Sequence, residues 1–253
     1  MMARKVLRPL SGIAGIVDEV ASTAMAAARY PTGLTQGQLT TGNPHDPVHD
    51  VPVLMIHGYG HNQSGWWEFD RQLRLAGFSS VHRLNYLPLG HGVPRLAKSL
   101  ARRVDQIRML TGSDRINIVA HSLGGIILRW YVQELGGDRT VATAVTLASP
   151  HEGTLAAYLW PERTAKQLRP GSWVIDRLAA GARPSPVRWV AFWSDADLLI
   201  QPKIAARLAA PELDATNIKL TGVGHMSFLM AGSVILPVIR QLETSAAAAL
   251  SPR

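Results

Sequence analysis

The chain reads as an α/β protein built on a mainly parallel sheet with helices on both faces. Two observations predict this. Short strand-like segments at 51–56, 81–87, 116–121, 141–148, 187–193 and 217–220 alternate with stretches of helical periodicity. Several of these segments are apolar at consecutive positions, as strands covered on both faces are. A third observation bounds the size. At 253 residues, 47% hydrophobic and 17% charged, the chain can bury one full core, and no internal repeat or second domain is visible.

Residues 1–50 precede the first strand. Met1 to Arg8 is basic, but the apolar part that follows is short and interrupted by Asp18-Glu19, unlike a signal peptide. Ile13, Ile16, Val17, Val20, Ala24 and Met25 instead predict an amphipathic helix through about residue 28. Such a helix docks on the body of the protein or on a partner chain. Peripheral membrane contact through residues 1–28 is the alternative. Residues 30–50 are rich in Pro, Gly, Thr, Asn and Asp and read as an irregular lead-in. His45-Asp46 and His49-Asp50 are broken up by Pro44 and Pro47 and read as a surface loop, not a metal site.

The first strand, 51–56, ends in His57-Gly58-Tyr59-Gly60-His61. A helix over 66–76 follows, with Ser64 a candidate cap. After the strand at 81–87, Pro88 to Val93 forms a loop and 94–110 a helix closed by Gly112. The strand at 116–121 runs through Ser122 into a helix over 124–135, stopped by Gly136-Gly137. The strand at 141–148 leads to Ser149-Pro150-His151. Residues 155–186 break the rhythm and read as a small helical cap. Beyond the strand at 187–193 come a carboxylate-bearing turn, a short helix over 203–209 and the last strand, 217–220. A final helix is expected from the Ser233 cap to about 244, with Pro237 near its first turn. The main domain therefore spans 51–245, and the Ala-rich tail, 246–253, is expected to fray.

Composition narrows the function classes. The formal charge is +8, yet no block of five basic residues occurs. Lys98, Arg102, Arg103 and Arg108 lie off the stripe of Leu96, Leu100, Val104, Ile107 and Leu110, so they read as a solvated helix face. No nucleic-acid motif accompanies them, and no nucleic-acid partner is expected. There is no cysteine, hence no disulfide, no thiolate metal site and no cysteine nucleophile. That fits a cytoplasmic or membrane-peripheral setting while leaving secretion open. No apolar run reaches the ~18 residues of a membrane-spanning helix.

The chemistry centres on Ala120-His121-Ser122-Leu123-Gly124-Gly125. A strand, a small-residue turn and a helix in that order lift a serine hydroxyl clear of a parallel sheet. A serine needs a base in reach and a carboxylate to orient that base. On such a sheet the partners follow the serine as acid, then histidine. Of nine histidines only His151 and His225 follow Ser122, and His151 precedes the acid turn. His225 is therefore the candidate base. Asp197 is the candidate acid, with Asp195 its competitor and a turn or cap carboxylate the role for the loser. The Tyr59 and Leu123 N–H groups are the candidate oxyanion donors. Trp66, Tyr158, Leu159 and Trp160 are candidate walls of an apolar substrate site. No metal or cofactor is required.

Ile56-His57-Gly58-Tyr59, the Ala-x-Ser-x-Gly turn, Ser149-Pro150-His151-x-Gly153-Thr154, Asp197-x-x-Ile200-x-Pro202 and Gly224-His225 resemble the bacterial lipases and esterases of the α/β-hydrolase superfamily. The likeness spans about 51–240. It implies an α/β-hydrolase fold and hydrolysis of carboxylic esters, of triacylglycerols among other lipid-like substrates. A thioesterase or acyltransferase would share the acyl-enzyme half of the reaction. A lipid-binding protein of the same fold without turnover is the remaining reading.

Overall fold

The computed structural model describes residues 12–35, 51–88 and 90–250. The basic cluster at 4–8, the His-Asp pairs at 45–50 and the end of the tail, 251–253, lie outside the described residues. Six strands form one parallel sheet: β1 (Val53–Ile56), β2 (Val81–Leu84), β3 (Ile116–His121), β4 (Val141–Leu147), β5 (Arg188–Ser194) and β6 (Thr216–Leu220). Their spatial order is β2-β1-β3-β4-β5-β6, with every neighbouring pair parallel. The order reverses at β1, and it is at the carboxyl ends around such a point that a ligand crevice opens.

The helices are α1 (Gly12–Arg29), α2 (Trp67–Leu75), α3 (Val93–Thr111), α4 (Leu123–Glu134), α5 (Arg163–Lys166), α6 (Trp173–Ala180) and α7 (Gly232–Leu250). None of the described helices is long and apolar enough to cross a membrane. The continuous apolar runs of the strands are explained by what they touch. Leu54 and Ile56 of β1, Ile118 and Ala120 of β3, and Trp189 and Ala191 of β5 pack with α3, α4 and α6 on one face. The alternate residues, Val53, Met55, Val119, Val190 and Phe192, pack with α2 and α7 on the other. A strand residue alternates faces, so both sets must be apolar when both faces are covered. The strand β6 departs from this: Thr216 and Lys219 are exposed, as suits a sheet edge that must not recruit a second strand.

Several element ends differ from expectation. Asn62, not Ser64, caps the turn before α2: its Oδ1 accepts from the Ser64 N–H at 2.9 Å and from the Ser64 hydroxyl at 2.7 Å. The expected helix at 203–209 is a short 3-10 turn, Lys203–Ala206. The last helix does not stop near 244 but continues to Leu250, with Pro237 inside it. Alanine has the highest helix propensity, so the Ala-rich stretch extends the helix backbone where fraying was expected. Gly112 closes α3 at φ 70°, a left-handed conformation in which its N–H reaches the Arg108 carbonyl.

The segment 155–186 is a cap of a 3-10 turn, Leu155–Leu159, followed by α5 and α6. It is tied to the loop before α3. Thr164 Oγ1 donates to the Pro88 carbonyl at 2.7 Å, and Gln167 Oε1 accepts the Val93 N–H at 2.7 Å. From below, buried Arg129 donates to the carbonyls of His151 and Leu178, so one guanidinium joins α4, the loop after β4 and the cap. Desolvation lowers that guanidinium to about 10, still well above neutral pH.

The N-terminal helix α1 docks on the body of the protein. Arg29 lies over the Trp67 ring at 4.2 Å, and Asn62 Nδ2 donates to the Tyr30 carbonyl at 2.7 Å. Ile16, Val17 and Val20 are left exposed on its outer side.

Candidate active site

Ser122 is the hinge between β3 and α4. Its φ of 54° and ψ of −122° place a non-glycine residue in a conformation that L side chains rarely hold. The turn exists because its neighbours are small. A Cβ on Gly124 would lie 2.6 Å from the Ile56 carbonyl oxygen and 2.8 Å from that of His57. One on Gly125 would meet Ser149 Oγ at 2.1 Å. One on Gly58 would come within 2.9 Å of Ser122 Cβ. Glycines therefore let the end of β1, the serine turn and the loop after β4 pack together. Leu123 opens α4, so its N–H belongs to the first turn, whose donors lack intrahelical acceptors. Tyr59 follows Gly58 directly and lines the same cavity as Ser122.

Asp197 and His225 meet although they come from separate turns. His225 Nδ1 donates to Asp197 Oδ2 at 2.8 Å, and both residues are buried. The second carboxylate oxygen accepts from the N–H groups of Leu199 and Ile200 at 2.8 and 3.0 Å. Those two donors fix the carboxylate plane, which in turn directs the far edge of the His225 ring. With Nδ1 engaged, Nε2 is the nitrogen left to face a proton donor. His225 and Ser122 line one cavity of about 280 Å³. Asp195, the competing acid, faces elsewhere: it accepts from the Gly222 N–H at 3.1 Å and pairs with Lys219 at 3.1 Å.

His121 precedes the serine and supports the His225 loop. Its Nε2–H donates to the His225 carbonyl at 3.0 Å, with the two rings 4.7 Å apart. Burial, reinforced by neighbouring histidines, holds His121 well below its ordinary value and so neutral. On the other side His57 stacks on Tyr86 with 4.1 Å between ring centres. Its Nδ1–H donates to the Gly58 carbonyl and its Nε2 accepts the Tyr86 N–H, while Tyr86 OH donates to the His57 carbonyl at 2.6 Å. Desolvation lowers His57 to about 4. The two loops flanking Ser122 are thus braced by neutral imidazoles used as hydrogen-bonding struts.

Of the expected walls, Trp160 lines the cavity and sits 6.1 Å from the Tyr59 ring. Trp66, Tyr158 and Leu159 do not. Trp66 is fully buried in the α2 side of the core, edge-on to Phe69 at 5.3 Å. An indole in a continuous apolar pattern reports burial without reporting which face it is buried on. Tyr158 and Leu159 point outward from the 3-10 turn, Tyr158 beneath the Arg169 guanidinium at 4.6 Å. The actual apolar walls include Ala157, Ala165, Leu168, Leu199, Ile200 and Met226. Two of these were findable, because Ile200 lies three residues after Asp197 and Met226 directly follows His225. The small cap residues carried no such signal. Burial, followed by the charge of Glu162 and its hydrogen bond, raises the Tyr59 phenol above its ordinary value.

Comparison with known proteins agrees with this architecture. Residues 51–169 match the family model for the alpha/beta hydrolase fold. A triacylglycerol lipase from Burkholderia plantarii is 25% identical over 153 residues, covering 58% of this chain. The chain spans 38% of that relative's length. Among solved structures, the mature form of Bacillus licheniformis lipase BlEst2 superposes with a TM-score of 0.70 at 19% identity, covering 83% of this chain and 99% of that one. The Paleococcus ferrophilus monoacylglycerol lipase gives 0.61 at 15% identity, covering 83% and 100%. At such identities the structures speak for the fold.

Proposed function

We propose that this chain, an α/β hydrolase by fold, is a serine ester hydrolase that acts on carboxylic esters through an acyl-enzyme on Ser122. The observation that carries the reading is the 2.8 Å bond from buried Asp197 to His225, on a ring that shares its cavity with a serine at a strained turn. Asp197 holds the imidazole in the tautomer with Nε2 free to accept a proton. His225 takes the proton of the Ser122 hydroxyl as the oxygen attacks the acyl carbon. The oxyanion that forms is met by the N–H groups of Leu123 and Tyr59, a contribution of about 3 kcal/mol per donor. His225 then protonates the departing alcohol. Water, activated by the same nitrogen, attacks the acyl-enzyme, and the collapse frees the acid and the serine.

The substrate is an ester with an apolar acyl group. Ala157, Leu168, Leu199 and Ile200 offer it no charge to pair with. A cavity of about 280 Å³ falls just below the roughly 300–1,000 Å³ typical of ligand sites. Short and medium acyl chains fit it better than long ones. The lipase names of the relatives support lipid-like esters as the class.

The test is a series of nitrophenyl esters from butyrate through octanoate to palmitate, run with the native chain and Ser122→Ala. The expected result is kcat/KM falling from octanoate to palmitate, and a loss on the order of 10⁴ or more in the variant. Equal hydrolysis by Ser122→Ala would remove the serine from the reaction. A fluorophosphonate probe that labels both proteins alike would do the same.

A further inference from the structure

Beyond the three groups of the proposed reaction, one carboxylate sits where it governs the base. Glu19, on α1, reaches the residues that follow His225. Its Oε1 accepts the Met226 N–H at 2.8 Å, and its Oε2 accepts the Ser227 N–H and the Ser227 hydroxyl at 2.9 Å each. Three donors from two consecutive residues therefore converge on one charged group more than 200 positions away in the chain. Hydrogen bonds to an ionised acceptor are roughly twice as strong as neutral ones.

The surroundings are shaped for this contact. A Cβ on Gly224 would lie 2.2 Å from Glu19 Oε2, so the residue before His225 leaves room for the carboxylate. A Cβ on Gly15 would lie 2.7 Å from the Gly222 carbonyl, so the helix is pressed against the same loop one turn earlier. Ser22 Oγ lies 3.4 Å from Ser227 Oγ one turn later. A helix outside the matched segment 51–169 thus grips the turn that carries the imidazole.

We propose that Glu19 is a positioning residue for His225: its carboxylate anchors Met226 and Ser227, and so sets the place of the ring relative to Ser122. The inference rests on the reading of His225 as base. It adds a requirement that the serine, aspartate and histidine alone do not contain. Glu19 touches no substrate and moves no proton. Its work is to keep the loop from relaxing, since misplacing a reacting group by about 1 Å can cost on the order of a hundredfold in rate.

The experiment compares Glu19→Ala, Glu19→Gln and Arg29→Ala with the native chain. Arg29→Ala loosens α1 at Trp67 and leaves the His225 loop contacts in place. Two readouts are taken: octanoate-ester kinetics, and the low-field proton NMR signal of His225 Nδ1–H bonded to Asp197. Glu19→Ala should lower kcat about 10–100-fold with KM changed less than about twofold, and should broaden or shift that signal. Glu19→Gln, which keeps one oxygen acceptor, should fall between. Arg29→Ala should lower Tm while keeping kcat and the signal. A native signal in Glu19→Ala, or a kcat loss in Arg29→Ala equal to that of Glu19→Ala, overturns the proposal. Failure of the native chain to hydrolyse any ester defeats the catalytic reading instead, and the NMR comparison still decides whether Glu19 holds the ring.

Discussion

At the scale of single residues, the site depends on atoms that are missing. Gly124 and Gly112 are both glycines beside helix ends, yet they matter for different reasons. At Gly112 an added methyl would meet nothing within 4 Å, and the cost of Ala is the left-handed backbone alone, about 1–2 kcal/mol. At Gly124 the methyl would run into two carbonyl oxygens of the β1 end that cannot swing aside. Gly124→Ala should therefore cost about 3 kcal/mol in urea unfolding, the upper part of the range for overpacking, and should depress kcat by shifting Ser122. Equal destabilisation by the two substitutions would show that the β1 end yields. The sequence could nominate Ser122, Asp197 and His225 because their order along the chain follows the order of the strands, and the structure brings Asp197 and His225 into contact beside the cavity that Ser122 lines. Trp66 was misread because periodicity distinguishes buried from exposed but not one buried face from the other. Glu19 was invisible for a further reason: Asp18-Glu19 looked like charge interrupting an apolar stripe, and no local pattern points to a partner at 226.

At the scale of elements, α3 and α4 lay within about a residue of where periodicity put them, because each pairs a long apolar pattern with a glycine stop, and β3 matches the run that ends at the Ser122 turn. The cap was legible only as an interruption. Its pieces are short: Val174, Ile175 and Leu178 pack α6 into the core, and side-chain bonds hold the rest. Gln167 is the clearest of these: it is buried and accepts the N–H that opens α3. Gln167→Ala would leave that donor without its partner, a loss of about 1–3 kcal/mol by urea unfolding. The same substitution should raise KM for octanoate esters, because Ala165 and Leu168 on either side line the cavity. A stability loss with unchanged KM would separate the cap's anchoring from substrate binding.

At the scale of the whole molecule, buried histidines make the fold acid-sensitive. Burial lowers His57 and His82 to about 4 and takes His121 and His151 well below their ordinary 6.5. Each stays neutral in the fold, while the unfolded chain takes up a proton below 6.5. Stability is therefore full above pH 6.5 and declines as pH falls from 6.5 toward 4. His57 alone accounts for about 3 kcal/mol across that interval. Tm measured from pH 8 to 4 should be level above 7 and drop steeply below 6; a Tm that holds from pH 6.5 to 4.5 would refute neutral burial. The clasp between α1 and the loop after β6 has a consequence of another kind. Diluted out of denaturant, the chain can form helices such as α4 from residues close in sequence, but the imidazole is seated only when segments 207 positions apart have found each other. Regain of helical signal should run ahead of regain of turnover, and the lag between them is the time the two distant segments need to close on the last piece of the reaction centre.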